Sequence, residues 1–170
     1  EQALDTIRKR NKRWNFQADI HLLEAITTPS EIMRFRSDVA GACLRHVTYL
    51  GLQDFAVRHG NIDANFEIIA LCRLATNSLT AQSDLDLIFV YDGCKEDVSD
   101  GPKPLGLSSY FIRLTQLITS WMSLKTKHGK LYELDLRLRP DPAVMPICMG
   151  TDAAVRYYES FGRTWERAAY

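Results

Sequence analysis

The sequence predicts an α/β (α+β) fold, a small mixed β-sheet with flanking helices, preceded by a helical segment. Three observations point to it. Apolar residues recur at helical spacing between residues 30 and 58. Two phrases, 83–91 and 131–139, alternate polar or acidic residues with aliphatic ones, as strands do. Between them, Leu105 to about Lys127 reads as an amphipathic helix. At 170 residues, 46% of them hydrophobic, the chain is one domain, or one domain plus an appendage, with a sizeable core. The expected division is a helical segment over 1–60 and a sheet-bearing domain over 61–170.

Residues 1 to about 26 are mostly helix formers, with Trp14, Ile20, Leu22, Leu23 and Ile26 as apolar positions. Thr28-Pro29-Ser30-Glu31 is a helix start. The helix that follows places Ile32, Phe35, Val39, Cys43 and Val47 near 3.6 spacing. His21 and His46 read as ordinary helix residues. Gly60-Asn61-Ile62-Asp63 is a turn, and Phe66 to Leu71 a buried strand. Residues 72–82 connect it to the second strand, 84–91. Asp92 to Lys103, rich in Gly, Asp, Ser and Pro, reads as a mobile loop. In the helix beyond it, Phe111, Leu114, Leu117, Ile118 and Trp121 face inward, and His128-Gly129-Lys130 stops it. The third strand spans 131–139, Pro140-Asp141-Pro142 is a rigid turn, and Val144 to Met149 is a further strand. Thr151-Asp152-Ala153-Ala154 opens a last helical region, broken at Gly162.

The two strand phrases also carry the chemistry. Asp84 and Asp86 share a face, as do Asp135, Arg137 and Arg139 on a fully extended strand. Two carboxylates at i and i+2, with a third on a neighbouring strand, make a hard oxygen site for Mg²⁺, the arrangement used in two-metal phosphoryl transfer. The plainer reading is a solvated face on which the arginines pair with the acids. The apolar run Leu85, Leu87, Ile88, Phe89 and Val90 weighs against it, because carboxylates at the mouth of a buried strand are costly unless they bind something.

Lys+Arg and Asp+Glu both number 21, so net charge draws the chain neither to nucleic acid nor to a membrane. Arg8, Lys9, Arg10, Lys12 and Arg13 cluster near the start and read as a solvated helix face, with a phosphate patch as the alternative. Cys43, Cys72, Cys94 and Cys148 show no Cys-x-x-Cys spacing, which argues against a structural zinc site. Cys43 and Cys72 read as small buried hydrophobes. With no signal peptide and no long apolar run, the expected location is cytoplasmic. The chain starts inside a helical pattern and stops at Tyr170 without an ending signal, so a piece of something longer is expected.

Several phrases, in order, resemble the bacterial glutamine-synthetase adenylyltransferase/adenylyl-removing enzyme family. They are Ser83-Asp84-Leu85-Asp86-Leu87-Ile88-Phe89-Val90-Tyr91-Asp92, Tyr110-Phe111-Ile112-Arg113-Leu114-Thr115-Gln116-Leu117-Ile118, and Leu131-Tyr132-Glu133-Leu134-Asp135-Leu136-Arg137-Leu138-Arg139-Pro140. Tyr157-Tyr158-Glu159-Ser160 and Gly162-Arg163-Thr164-Trp165-Glu166-Arg167-Ala168-Ala169 extend the resemblance. It implies a nucleotidyltransferase-type fold and a place in nitrogen-assimilation control. The family carries two related halves. One adds AMP to a tyrosine of glutamine synthetase, and the other removes it by phosphorolysis. The length here suits one half. The front, with Leu79-Thr80-Ala81-Gln82-Ser83-Asp84, looks more like the transferring half and the tail more like the removing half, so the direction stays open.

The resemblance implies Mg²⁺ on Asp84, Asp86 and Asp135, with ATP, or ADP and phosphate, as substrate. Asp135 would also help deprotonate the attacking group. It places Ala75, Thr76, Ser83, Arg137 and Arg139 around the nucleotide phosphates, Ser83 shaping the strand entry rather than attacking. For Arg137 and Arg139 the alternative is a salt bridge to Glu133 or Asp141. Trp165, Glu166 and Arg167 would pack the last helix. Implied partners are glutamine synthetase and, through the full-length chain, the PII nitrogen-signal protein. One departure stands out. Ala75 and Thr76 occupy the family's Gly-Gly pair, where backbone amides approach phosphate, and Ser78 replaces the glutamate that follows. A degenerate, non-catalytic regulatory module is therefore the second reading, and a transferase acting on another acceptor the third.

Overall fold

The computed structural model describes residues 2–140 and 145–162. Helix α1 (Gln2–Leu23) leads to α2 (Pro29–His59), then β1 (Ala64–Ala70), the short helix α3 (Cys72–Ala75) and β2 (Leu85–Gly93). Helix α4 (Leu107–Ser123), β3 (Leu134–Asp135), β4 (Cys148–Gly150) and α5 (Thr151–Ser160) complete the order. The α/β fold with a small mixed sheet is as the sequence predicts.

Helix α2 begins where its residues require. The Thr28 hydroxyl accepts from the Glu31 backbone N–H at 3.3 Å, and the Glu31 carboxylate accepts from the Thr28 N–H at 2.8 Å. This reciprocal box satisfies two otherwise orphaned donors, and Pro29 needs no partner in the first turn. Helix α4 buries Leu107, Tyr110, Phe111, Leu114, Thr115, Ile118 and Met122, a stripe at helical spacing.

Strand β2 is the centre of the sheet. It pairs antiparallel with β1 from Ala64↔Gly93 to Ala70↔Leu87. On its other edge it pairs parallel with β3 near its start and with β4 near its end. Alternation along β2 gives the sheet two different faces. Leu85, Leu87 and Phe89 enter the main core with Val39, Cys43 and Val47 of α2 and Phe111, Leu114 and Ile118 of α4. Phe66 stacks on Phe111 with centroids 5.5 Å apart, and Tyr91 on Phe111 at 5.1 Å, offset packing that adds to plain burial. The other face carries Ile88 and Val90, packed with Leu71, Met149 and Ala154.

Helix α1 is fastened largely by polar groups. Arg8, 3% exposed, donates to Asp5 at 3.1 Å and to the Trp121 carbonyl at 3.1 Å. The Tyr132 hydroxyl donates to Asn11 at 2.9 Å, and Arg36 of α2 donates to Asn15 at 3.0 Å and to Asp19 at 2.5 Å. Arg8 thus lies inside, not on the solvated face expected of the basic cluster, because the Trp121 carbonyl and Asp5 both accept from it.

Three other expectations need correction. The third strand does not run over 131–139; only Leu134–Asp135 pairs. The Asp135 carboxylate accepts from the Arg137 backbone N–H at 2.8 Å, which turns the chain and withdraws that donor from the ladder. Arg137 and Arg139 therefore do not follow Asp135 along one strand face. The segment expected to be a mobile loop is fastened to the end of α2. Asp100 N–H donates to the Asn61 carbonyl and Gly101 N–H to the His59 carbonyl, and the Asp100 carboxylate accepts from Asn61 N–H at 2.6 Å. Gly60, at φ +75, meets Gly101 so closely that a Cβ on either would strike the other's backbone. The strand expected over 144–149 is Cys148–Gly150. The Pro140-Asp141-Pro142 turn beyond Pro140, Val144, and Trp165, Glu166 and Arg167 lie outside the described residues.

Thr28→Ala should lower stability by about 1 kcal/mol, the usual cost of losing such a cap. In urea unfolding the midpoint should fall with an unchanged slope. An unchanged midpoint would show that α2 starts without help from the box.

Candidate active site at the start of the central strand

Asp86 and Asp135 are register partners on adjacent parallel strands, so their side chains leave the sheet on one face. Asp84 lies just before β2, exposed, two residues ahead of Asp86. The chain is brought here from both sides. Leu85 N–H donates to the Glu133 carbonyl at 3.0 Å, and Leu71 N–H to the Asp86 carbonyl at 2.9 Å. Asp84 and Asp135 act electrostatically on Asp86. Burial first, then Asp84 and Asp135, push the Asp86 carboxyl above the ordinary carboxylate range. Asp135 moves the other way, held below that range chiefly by its hydrogen bonds with Arg137.

The Arg137 guanidinium grips Asp135 in two places. Nε lies 2.9 Å from Oδ2 and 3.0 Å from Oδ1, and Nη2 lies 2.5 Å from Oδ2. The Arg137 side chain is 85% exposed and that of Asp135 only 11%. Arg137 is thus a solvent-exposed cation set on a mostly buried carboxylate. Its partner is Asp135 rather than Glu133, which pairs with Lys130. Arg139 turns back and donates from Nη1 to the Leu136 carbonyl at 2.6 Å.

Ser83 shapes the strand entry. Its hydroxyl accepts from Thr80 N–H at 3.0 Å and from Arg73 Nη1 at 3.2 Å. Ala75 ends α3 and Thr76 caps it at φ −88, so Thr76 needs no left-handed backbone. The left-handed positions are Cys72, at φ +50, and Asn77, at φ +55. Thr76 Oγ1 donates to the Cys72 carbonyl at 3.1 Å. Cys72 is the residue that sequence reasoning missed. It is half-buried, not enclosed, and Asp86, Asp135 and Asp84 together raise its thiol pKa after burial does. An isolated cysteine in an apolar run gives no sign of the left-handed turn that aims it at Asp86.

The donor set fits a hard divalent cation in chemistry: carboxylate oxygens crowded by mutual repulsion, with one exposed guanidinium as the compensating charge. Among the described residues, no three His, Cys, Asp or Glu side chains stand ready to hold a metal as placed. Beside Asp84 opens a cleft of about 830 Å³ with a mixed lining, in which Lys12, Arg36 and Lys130 stand with Asp19 and Glu133, and Ser83 with Leu79 and Leu131. Among the described residues no helix is long and apolar enough to cross a membrane.

The sequence matches the family described as Glutamate-ammonia ligase adenylyltransferase over residues 1–170. It is 36% identical over 171 aligned residues to the bifunctional glutamine synthetase adenylyltransferase/adenylyl-removing enzyme of Mesorhizobium japonicum. The proteins of the same name from Bradyrhizobium diazoefficiens and Brucella suis are 35% and 34% identical. Each alignment covers 99% of this chain and 17% of the relative, so the chain spans about a sixth of the length of the curated relatives it matches.

Asp86→Asn should stabilise the chain at neutral pH. A carboxyl whose pKa is higher folded than unfolded costs stability as pH rises from the unfolded value through the folded one, and the loss persists above it. The variant should melt above the parent at pH 7, and the gap should close as pH falls below the ordinary aspartate range. Asp135, lowered on folding, contributes stability above the ordinary range that is lost as pH falls through its depressed value. A variant melting below the parent at pH 7 would mean that Asp86 is not crowded by negative charge.

Proposed function

The chain belongs to the Glutamate-ammonia ligase adenylyltransferase family, and from that premise we propose that it carries a Mg²⁺-dependent nucleotidyl-transfer site built on Asp84, Asp86 and Asp135. The substrate is ATP, with a tyrosine hydroxyl of glutamine synthetase attacking the α-phosphate and pyrophosphate leaving; in the removing direction inorganic phosphate attacks the adenylyl-tyrosine, ADP leaves and the tyrosine hydroxyl is restored. The observation that supports this best is the parallel register pair Asp86↔Asp135, with Asp84 adjoining. Asp84 and Asp86 hold the cation, joined by Asp135. Mg²⁺, when bound, draws charge from the phosphate oxygens as a Lewis acid.

The protein's own groups do the rest. Asp135, once released by Arg137, takes the proton of the attacking hydroxyl. Arg137, with its exposed head, swings from Asp135 to the phosphates, for which its fork suits bidentate contact. Arg139 supports the turn that carries Arg137. Ser83 and Arg73 fix the loop ahead of Asp84, and Ala75 and Thr76 stand where the family's backbone meets phosphate. The sheet-bearing part, 61–170, holds these residues, and the helices of 1–60 brace it. A place in the cytoplasm and a link to PII through the longer protein follow from the same reading.

The degenerate, non-catalytic reading keeps one observation in its favour: Ala75 and Thr76, with Cβ atoms, at the phosphate turn. Calorimetry separates the two. The active reading expects ATP binding that requires Mg²⁺ and is lost in Asp84→Asn, with turnover in that variant down at least about 100-fold, since removing a metal carboxylate removes the charge stabilisation on which transfer depends. Mg²⁺-dependent binding absent from the parent chain favours the degenerate module, and full turnover in Asp84→Asn excludes the proposed mechanism. Ala75→Gly with Thr76→Gly should tighten ATP binding by letting the amides approach. No change, with the fold intact, would place the phosphates elsewhere.

A further inference from the structure

Resting on the reading of Asp84, Asp86 and Asp135 as a nucleotidyl-transfer site, we propose that the apolar cleft between the second sheet face and α5 receives the base and ribose of the nucleotide. The cleft measures about 640 Å³ and is lined chiefly by Ile69, Ile88, Val90, Ala154 and Val155. Its floor continues the carboxylate row. Asp86, Ile88 and Val90 alternate along β2 and share a face, which sets Ile88 roughly 7 Å and Val90 roughly 13 Å beyond Asp86 at strand rise. Ile69 is the register partner of Ile88 and widens the floor onto β1. Ala154 and Val155 supply a wall on α5.

The chemistry sorts the two ends of a nucleotide. Among the described residues no Lys, Arg or His lines this cleft, whose polar lining is Thr151, Tyr158 and Glu159, so phosphate finds no cation among them. Cations border instead the cleft beside Asp84, which is lined by Lys12 and by Arg36 and Lys130, the last two paired with Asp19 and Glu133. A flat, largely apolar base gains from the first surface and a charged group from the second. The size also suits, since small-molecule sites are mostly apolar clefts of about 300–1,000 Å³ with a few polar groups. Ile69 and Val155 are 40% and 53% exposed, apolar side chains left partly uncovered at the rim by the described residues.

Calorimetry in Mg²⁺ compares ATP with inorganic tripolyphosphate, which carries the charge and lacks base and ribose. The parent chain should bind ATP more tightly than tripolyphosphate. Ile69→Gln with Val155→Gln, both exposed and outside the carboxylate cluster, should weaken ATP about tenfold, equivalent to about 1.4 kcal/mol, and leave tripolyphosphate within twofold. Equal affinities for the two ligands in the parent chain, or an unchanged ATP affinity in the folded double variant, overturn the base pocket while leaving the carboxylate site standing. If neither ligand binds the parent chain, the carboxylate reading falls and the base pocket with it. The parent comparison needs no variant, so a double variant that fails to fold does not remove the test.

Discussion

The parallel pairing of Leu85–Asp86 with Leu134–Asp135 is the contact on which the site depends. It lasts two residues, yet it sets two carboxylates side by side on one sheet face. Like charges in register repel, and after burial, the larger cause, Asp84 and Asp135 help push the Asp86 carboxyl up. The pairing persists because the odd-numbered side chains of the same strand, Leu85, Leu87 and Phe89, are wholly buried against α2 and α4. Burial of that face pins the register, since a slip of one residue would send Asp86 into the core and Leu85 and Leu87 out. The energy that folds one side of β2 thereby maintains an unfavourable arrangement of charge on the other.

Arg137 relieves that arrangement without removing it. Its backbone N–H ends β3 at Asp135 and its side chain supplies the nearest positive charge. One residue thus both shortens the strand and neutralises its carboxylate. An exposed guanidinium pairing with a mostly buried acid is easily exchanged for another cation, because the arginine regains full hydration when it leaves.

Much of this was legible in the sequence, and the remainder has physical reasons for having been hidden. The Thr28-Pro29-Ser30-Glu31 start and the α4 stripe are local patterns, and they fold as they read. The acidic positions 84 and 86 ahead of the apolar run 87–90 likewise foretold a buried strand with carboxylates at its start. The alternation from 131 to 139 misled, because Asp135 bonds Arg137's N–H and breaks the period that its neighbours suggest. The loop after β2 looked free from its composition, yet its glycine at 101 is there to approach Gly60, a contact between distant segments. Cys72 was unreadable for a related reason. Its left-handed backbone is set by the passage from β1 over the start of β2, and no local pattern signals it. The pocket between α5 and the sheet depends on which strand faces meet which helix, which register decides and residue spacing alone does not.

The central claim is that Asp84, Asp86 and Asp135 hold a cation that replaces Arg137. A crystal structure with Mn²⁺ and a non-hydrolysable ATP analogue tests it most directly, with the anomalous signal locating the metal. The account predicts manganese held by Asp84 and Asp86 with Asp135 joining them, and the Arg137 guanidinium moved from Asp135 onto the phosphates. Manganese absent from the three carboxylates at saturating concentration, with Arg137 still bonded to both oxygens of Asp135, would contradict it.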